Sequence, residues 1–90
     1  MKQIQADSVG SAWRADVMNA AQYAPVEVID LDGARLGVVE FRADSKGRKY
    51  LYINSRRSSN ENLWQTMHNW ADIIAKQNAR DYRVRMGSAE

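Results

Sequence analysis

The chain reads as an α+β domain: a short N-terminal strand, a helix, a three-stranded antiparallel meander and a long C-terminal helix packed on the sheet. Three observations predict this. Apolar residues recur at helical spacing in two separate segments, residues 9–21 and 63–74. Between them, two runs rich in β-branched residues flank Asp32 and Gly33, a short-range hairpin signal. A third alternating run, residues 48–55, follows the turn-forming segment 43–47.

The elements follow in order. Residues 2–6 alternate weakly with Ile4 inward and read as a strand. Asp7 or Ser8 supplies a side-chain oxygen for the free N–H groups of a first helical turn, although Gly10 weakens that turn. Val9, Trp13, Val17 and Ala20/Ala21 form the apolar stripe. The helix ends at 23–25, because the residue before Pro25 is pushed out of the α region. Residues 26–31 and 34–42 then form a hairpin, with Asp32-Gly33 expected as a type I′ turn. Val26 and Val28 share one face. Leu36 and Val38, or Val39 and Phe41, supply the partner face, and the sequence leaves both registers open.

In the third strand Tyr50 and Tyr52 point to one side, Leu51 and Ile53 to the other. Ser58 and Glu61 have capping-box spacing, and the helix after them is expected over residues 59–78. Its stripe is Leu63, Met67, Trp70 and Ile74, with Trp64, Ala71 and Ile73 beside it. All three tryptophans are expected in the core. Residues 1–79 read as one domain. Residues 80–90 are a basic tail that is either disordered or a short strand, with Tyr82, Val84 and Met86 on one side and Arg83 and Arg85 on the other.

The composition is 44% hydrophobic and 27% charged over 90 residues, as expected of a soluble folded domain. No apolar run approaches the length of a membrane span, and the N-terminus lacks a signal-peptide core, so a cytoplasmic chain without membrane contact is expected. The absence of cysteine excludes disulfides and thiolate chemistry. Charge is divided unevenly. Residues 1–45 carry four cations and seven acids, a net −3; residues 46–90 carry nine cations and four acids, a net +5. A polyanion would therefore meet the second half.

Catalytic constellations are missing from the sequence. His68 is a single histidine on a helix, without histidine or cysteine neighbours to make a site. Asp30 and Asp32 flank a turn, which is sufficient local reason for aspartate there. The glycines are too dispersed for a phosphate loop. No enzyme activity, cofactor or metal is expected. What remains is a basic segment with aromatics interleaved: Lys46, Arg48, Lys49, Arg56 and Arg57 around Tyr50 and Tyr52. Such a pattern can track a phosphate backbone and stack bases, so these five cations are the candidate nucleic-acid contacts.

The first forty or so residues resemble the Phd/YefM family of bacterial antitoxins. The segments that carry the resemblance are "MKQI", "WRADVMNAAQ", "APVEVI" and "GARLGVVEF". The resemblance implies a homodimer with an N-terminal DNA-binding half and a C-terminal half that wraps a toxin. Arginines that contact DNA in the family are replaced at matching positions by Gly10 and Asp30, and residues 48–78 read as folded structure instead of a wrapping tail. The combined expectation is a non-enzymatic, corepressor-like transcription modulator, monomeric or dimeric, that binds a repressor or a repressor–operator complex and meets DNA mainly within it. An antitoxin that binds its own operator and neutralises a toxin is the alternative, and a phage inhibitor of a host protein is the second.

Overall fold

The computed structural model describes residues 1–6, 12–56 and 61–88. Seven elements follow one another: β1 (Lys2–Gln5), α1 (Ala12–Ala21), β2 (Val26–Ile29), β3 (Arg35–Ala43), β4 (Lys49–Ser55), α2 (Glu61–Gln77) and β5 (Arg83–Ser88). The proposed caps Asp7, Ser8 and Ser58, and the candidate contact Arg57, lie outside the described residues.

The strands form one sheet in chain order, β1-β2-β3-β4-β5. Its centre is the expected antiparallel meander of β2, β3 and β4. Its two edges correct the expectation. β1 pairs with β2 in parallel and β5 pairs with β4 in parallel, so the sheet is mixed and the long helix is not the last element. The cause is the connection. A crossover helix returns the chain to the end of the sheet where it started, and the next strand then runs in the same direction as the first. Of the two readings of the C-terminal segment, the strand is the one built: β5 pairs with β4 from Tyr50–Arg83 to Ser55–Ser88.

Both helices lie over the same face. β1, β2, β4 and β5 all run in one direction, and each crossover steps the same way along the sheet. Two right-handed crossovers in that arrangement must share a side. α1 packs over β1–β3 and α2 over β4 and β5. Between helices and sheet lies the core: Val26, Val28, Leu36, Val39, Leu51 and Ile53 below, with Trp13, Val17, Leu63, Met67, Trp70 and Ile74 above. Trp64 corrects the expectation that all three tryptophans are core: it is half-buried and its ring lies against His68 at 4.2 Å.

A bulge decides between the two registers for β3. Val26 stands opposite Val39 and Val28 opposite Gly37, whereas Ile29 stands opposite Arg35. Leu36 is the extra residue, and the bulge lets it turn inward with Val39. The Val39 and Phe41 face is therefore the inner one, with Phe41 packed at the edge of the core, and Leu36 joins it from the other alternative. Gly37 sits beside it, where a Cβ would strike the Asn54 carbonyl oxygen and lie 3.0 Å from the Ser55 Cα. Both neighbours are backbone, so a side chain here is relieved only by parting β3 from β4.

The two hairpin turns are built alike. In each, an aspartate N–H donates to a carbonyl four residues on, and a glycine three residues on donates back to the aspartate carbonyl: Asp30 with Ala34 and Gly33, Asp44 with Arg48 and Gly47. Gly33 and Gly47 have φ of 86° and 78°, and no described non-glycine residue has positive φ. This is a three-residue loop, a type I turn closed by glycine, and it replaces the expected type I′ turn, which needs positive φ at Asp32 as well. The aspartate carboxylate holds the loop. Asp30 Oδ1 accepts from the N–H groups of Asp32 and Ala34, both at 2.9 Å, and Asp44 Oδ1 accepts from those of Lys46 and Arg48 at 2.9 and 2.8 Å. Asp30 is fully buried and the bonds it accepts are part-buried, whereas those at Asp44 are exposed, so its loss leaves the less hydrated pair of donors unmatched. Asp30→Ala is expected to cost about 2 kcal/mol in a urea melt, and Asp44→Ala, at the more open turn, about half of that. Equal losses at the two positions would contradict the burial argument.

Candidate nucleic-acid interface

The face of the sheet away from the helices is the surface with chemistry to explain. Residues directly opposite one another on paired strands share a face. The register therefore sets three rows across β3, β4 and β5: Arg42–Tyr50–Arg83, Glu40–Tyr52–Arg85 and Val38–Asn54–Gly87. Two tyrosines stand in the central strand with cations on both sides. The Arg42 guanidinium lies over the Tyr52 ring at 4.0 Å, and that of Arg85 over the Tyr50 ring at 4.5 Å. These contacts cross the rows diagonally and tie the three strands into one guanidinium–aromatic patch. Gly87 makes room within it, since a Cβ there would collide with the Tyr52 hydroxyl.

Acids on this face are already engaged. Glu40 pairs with Arg42. That pairing holds the Arg42 guanidinium above its ordinary pKa. On the far side, Glu27 accepts from Gln3 at 2.7 Å and from Arg35 Nε at 2.9 Å. The hydrogen bonds from Gln3 and then Arg35 keep the Glu27 carboxyl below the usual carboxylate range, so it is ionised and neutralised locally. Arg80, Arg83 and Arg85, by contrast, have no carboxylate partner among the described residues.

At the starting ends of β4 and β5 the patch runs into a cleft of about 320 Å³, between the Asp44–Arg48 turn and the loop after α2. Arg48, Lys49, Arg80, Arg83 and Arg85 line it, with the rings of Tyr50 and Tyr82, against the two acids Asp44 and Asp81. Asp44 is committed to its turn and to Arg48, whose Nε lies 3.0 Å from Oδ2. The backbone N–H of Arg48, then its guanidinium, hold the Asp44 carboxyl low. Tyr82 packs edge-on against Phe41 at 5.2 Å, and burial raises its hydroxyl pKa. The cleft thus offers several cations whose charge is not cancelled within it, next to aromatic rings.

Of the five cations picked out by the sequence, the four that are described do not form one group. Lys46, Arg48 and Lys49 gather at the cleft end of β4, with Lys49 over the Phe41 ring at 4.1 Å. Arg56 follows the opposite end of β4, about 20 Å away along the strand. The cations that flank the tyrosines are instead Arg42, Arg83 and Arg85, and Arg80 joins Arg48 and Lys49 in the cleft. Strand alternation puts Arg83 and Arg85 on one side of β5, but only the parallel pairing brings that side next to Tyr50 and Tyr52.

His68 is half-buried, and its Nε2 lies 3.3 Å from the Ser55 hydroxyl, which also donates toward the Gly87 carbonyl at 3.4 Å. Ser55 is 5% exposed, so the pair joins β4 to α2 and β5 and presents no accessible nucleophile. Among the described residues no three metal-ligating side chains converge, and no described helix is long and apolar enough to cross a membrane.

No family model matches the chain, and no curated protein or solved structure matches it.

Proposed function

We propose that the protein is a small non-enzymatic regulator that binds nucleic acid through the open face of β3–β5 and the cleft at its end. The observation that carries this reading is the pair Tyr50 and Tyr52 set between Arg42, Arg83 and Arg85. Arg83 and Arg85, which have no carboxylate partner among the described residues, attract phosphates, and the aromatic rings beside them meet bases; Arg42, paired with Glu40, contributes its stacking plane. The corepressor role expected from the sequence gives the acid-rich first half to a protein partner. Asp30 and Asp44 are committed to turns, and Glu27 and Glu40 to ion pairs, so that half offers less free negative charge than its composition suggests. Nucleic-acid contact is the part of the expectation that the geometry favours.

The test is the salt dependence of binding to a labelled 20-nucleotide probe. Contact of four phosphates by the patch and cleft predicts a slope of log K against log salt between about −3 and −4. Affinity independent of salt would contradict the reading. Nanomolar, sequence-specific binding of an operator duplex by the isolated chain would instead make it a direct repressor.

A further inference from the structure

We infer that the nucleic acid bound by this face is single-stranded, with unpaired bases stacked on Tyr50 and Tyr52 and its backbone led into the cleft by Arg83, Arg85 and Arg80. The inference rests on the nucleic-acid reading above and adds the state of the strand.

The breadth of the surface is the first argument. Five strands spaced by about 4.8 Å place the outer strand axes about 19 Å apart, whereas the major groove of B-DNA is about 12 Å wide. A two-stranded ribbon enters that groove, but the inner strands of a five-stranded sheet do not. β4, which carries both tyrosines, is covered on its two sides by β3 and β5. Its rings therefore reach only bases that come to them.

The rings themselves are the second argument. In a duplex each base is sandwiched by its neighbours, so its π-face is closed to a side chain; an unpaired base has that face free. Tyr50 and Tyr52 are two residues apart and stand about 6.8 Å apart along β4. Consecutive stacked nucleotides rise by about 3.4 Å. Adjacent bases therefore engage both tyrosines only when they are unstacked from each other. The guanidinium groups of Arg42 and Arg85 lie over these rings and cover one face of each, so a stacked base meets either the other face of the ring or the guanidinium plane itself, which also accepts a base.

Charge sets the polarity of the path. Tyr50, Arg83 and Arg85 belong both to the patch and to the cleft lining, so the two are continuous. On the β1–β2 side the face carries Gln3, Gln5 and the neutralised Glu27. A strand laid across the tyrosines finds its phosphate partners toward β5 and the cleft, and none of comparable density toward β1.

The test is fluorescence anisotropy on the full chain with four 20-nucleotide probes: oligo(dT), oligo(rU), a mixed-sequence duplex, and an abasic single strand. The inference predicts that oligo(dT) or oligo(rU) binds at least tenfold tighter than both the duplex and the abasic strand. The two single-stranded arms separate a DNA ligand from an RNA ligand. Tyr50→Leu with Tyr52→Leu should lower affinity for the preferred strand about tenfold or more and leave abasic-strand binding unchanged, and the corresponding Phe pair should restore it. Equal binding of single strand, abasic strand and duplex overturns the stacked single strand and leaves phosphate binding standing. Absence of binding to all four overturns both readings. The abasic comparison uses the unaltered protein, so it decides the question even if the leucine pair fails to fold.

Discussion

Replacing Trp70 by alanine is expected to lower the stability of the fold by about 3–5 kcal/mol. Trp70 is 4% exposed and meets Trp13 at 5.4 Å between ring centroids, with the planes inclined at 63°. The effect is large because of where this contact stands. α1 and α2 cover different strands, and the tryptophan pair joins one helix to the other over the sheet. Truncation opens a cavity at that joint as well as exposing apolar surface. A domain of this length holds roughly 5–13 kcal/mol in total, so the loss takes about a quarter of it or more. Urea denaturation followed by circular dichroism measures it. A double-mutant cycle with Trp13→Ala should return a coupling of about 0.5–1.5 kcal/mol, as expected for an edge-on aromatic pair. A loss below about 1 kcal/mol for Trp70→Ala would mean that the helices do not depend on each other.

Charge reversal at Arg83 and Arg85 is expected to produce the largest functional change. In the variant Arg83→Glu with Arg85→Glu, two cations beside the tyrosines and the cleft become two acids. Both side chains are exposed on an edge strand, so the core below them is untouched. The fold gives up the stacking of the Arg85 guanidinium on the Tyr50 ring, worth about 0.5–1 kcal/mol at an exposed site. Affinity for any nucleic-acid probe should fall at least about thirtyfold, and the salt slope should shrink by about two phosphates. The same reversal at Lys76, on the exposed side of α2, should change affinity by less than about twofold. Comparable losses at both sites would mean that net charge, and not this face, attracts the ligand.

Much of the architecture is legible in the sequence because apolar spacing reports burial directly. The stripes Trp13–Val17–Ala21 and Leu63–Met67–Trp70–Ile74 are the buried sides of α1 and α2. Alternation likewise places Tyr50 and Tyr52 opposite Leu51 and Ile53. Periodicity says which way a side chain faces but not which strand lies beside it. The parallel edges were therefore hidden, although a strand–helix–strand order with a ten-residue helix is the usual source of parallel pairing. The turns carried a readable signal in the repeated pattern of Asp followed three residues later by Gly, at Asp30–Gly33 and Asp44–Gly47; the Asp-Gly pair alone points to the wrong turn. Gly37 could not be read, because its requirement comes from the Asn54 carbonyl across the sheet.

The site follows the same division. A basic, aromatic segment was visible around Tyr50 and Tyr52, but nearness in sequence favoured Arg56 and Arg57. Nearness in the sheet favours Arg42, eight residues before Tyr50, and Arg83 and Arg85, more than thirty residues after it. The half-exposed alternation of β5 resembled a frayed tail for a physical reason: on this edge strand Arg83, Arg85 and Met86 are exposed and Val84 is only half-buried, so little of either face is covered.

Backbone amide chemical-shift mapping during titration with oligo(dT) tests the central claim most directly, since it locates the ligand without altering the protein. Perturbations are expected to concentrate at Arg42, Tyr50, Tyr52, Arg83 and Arg85 and to extend into the cleft at Lys49 and Arg80, with the exposed sides of α1 and α2 unchanged. Perturbations centred on the helices, with the open face of β3–β5 silent, would contradict it.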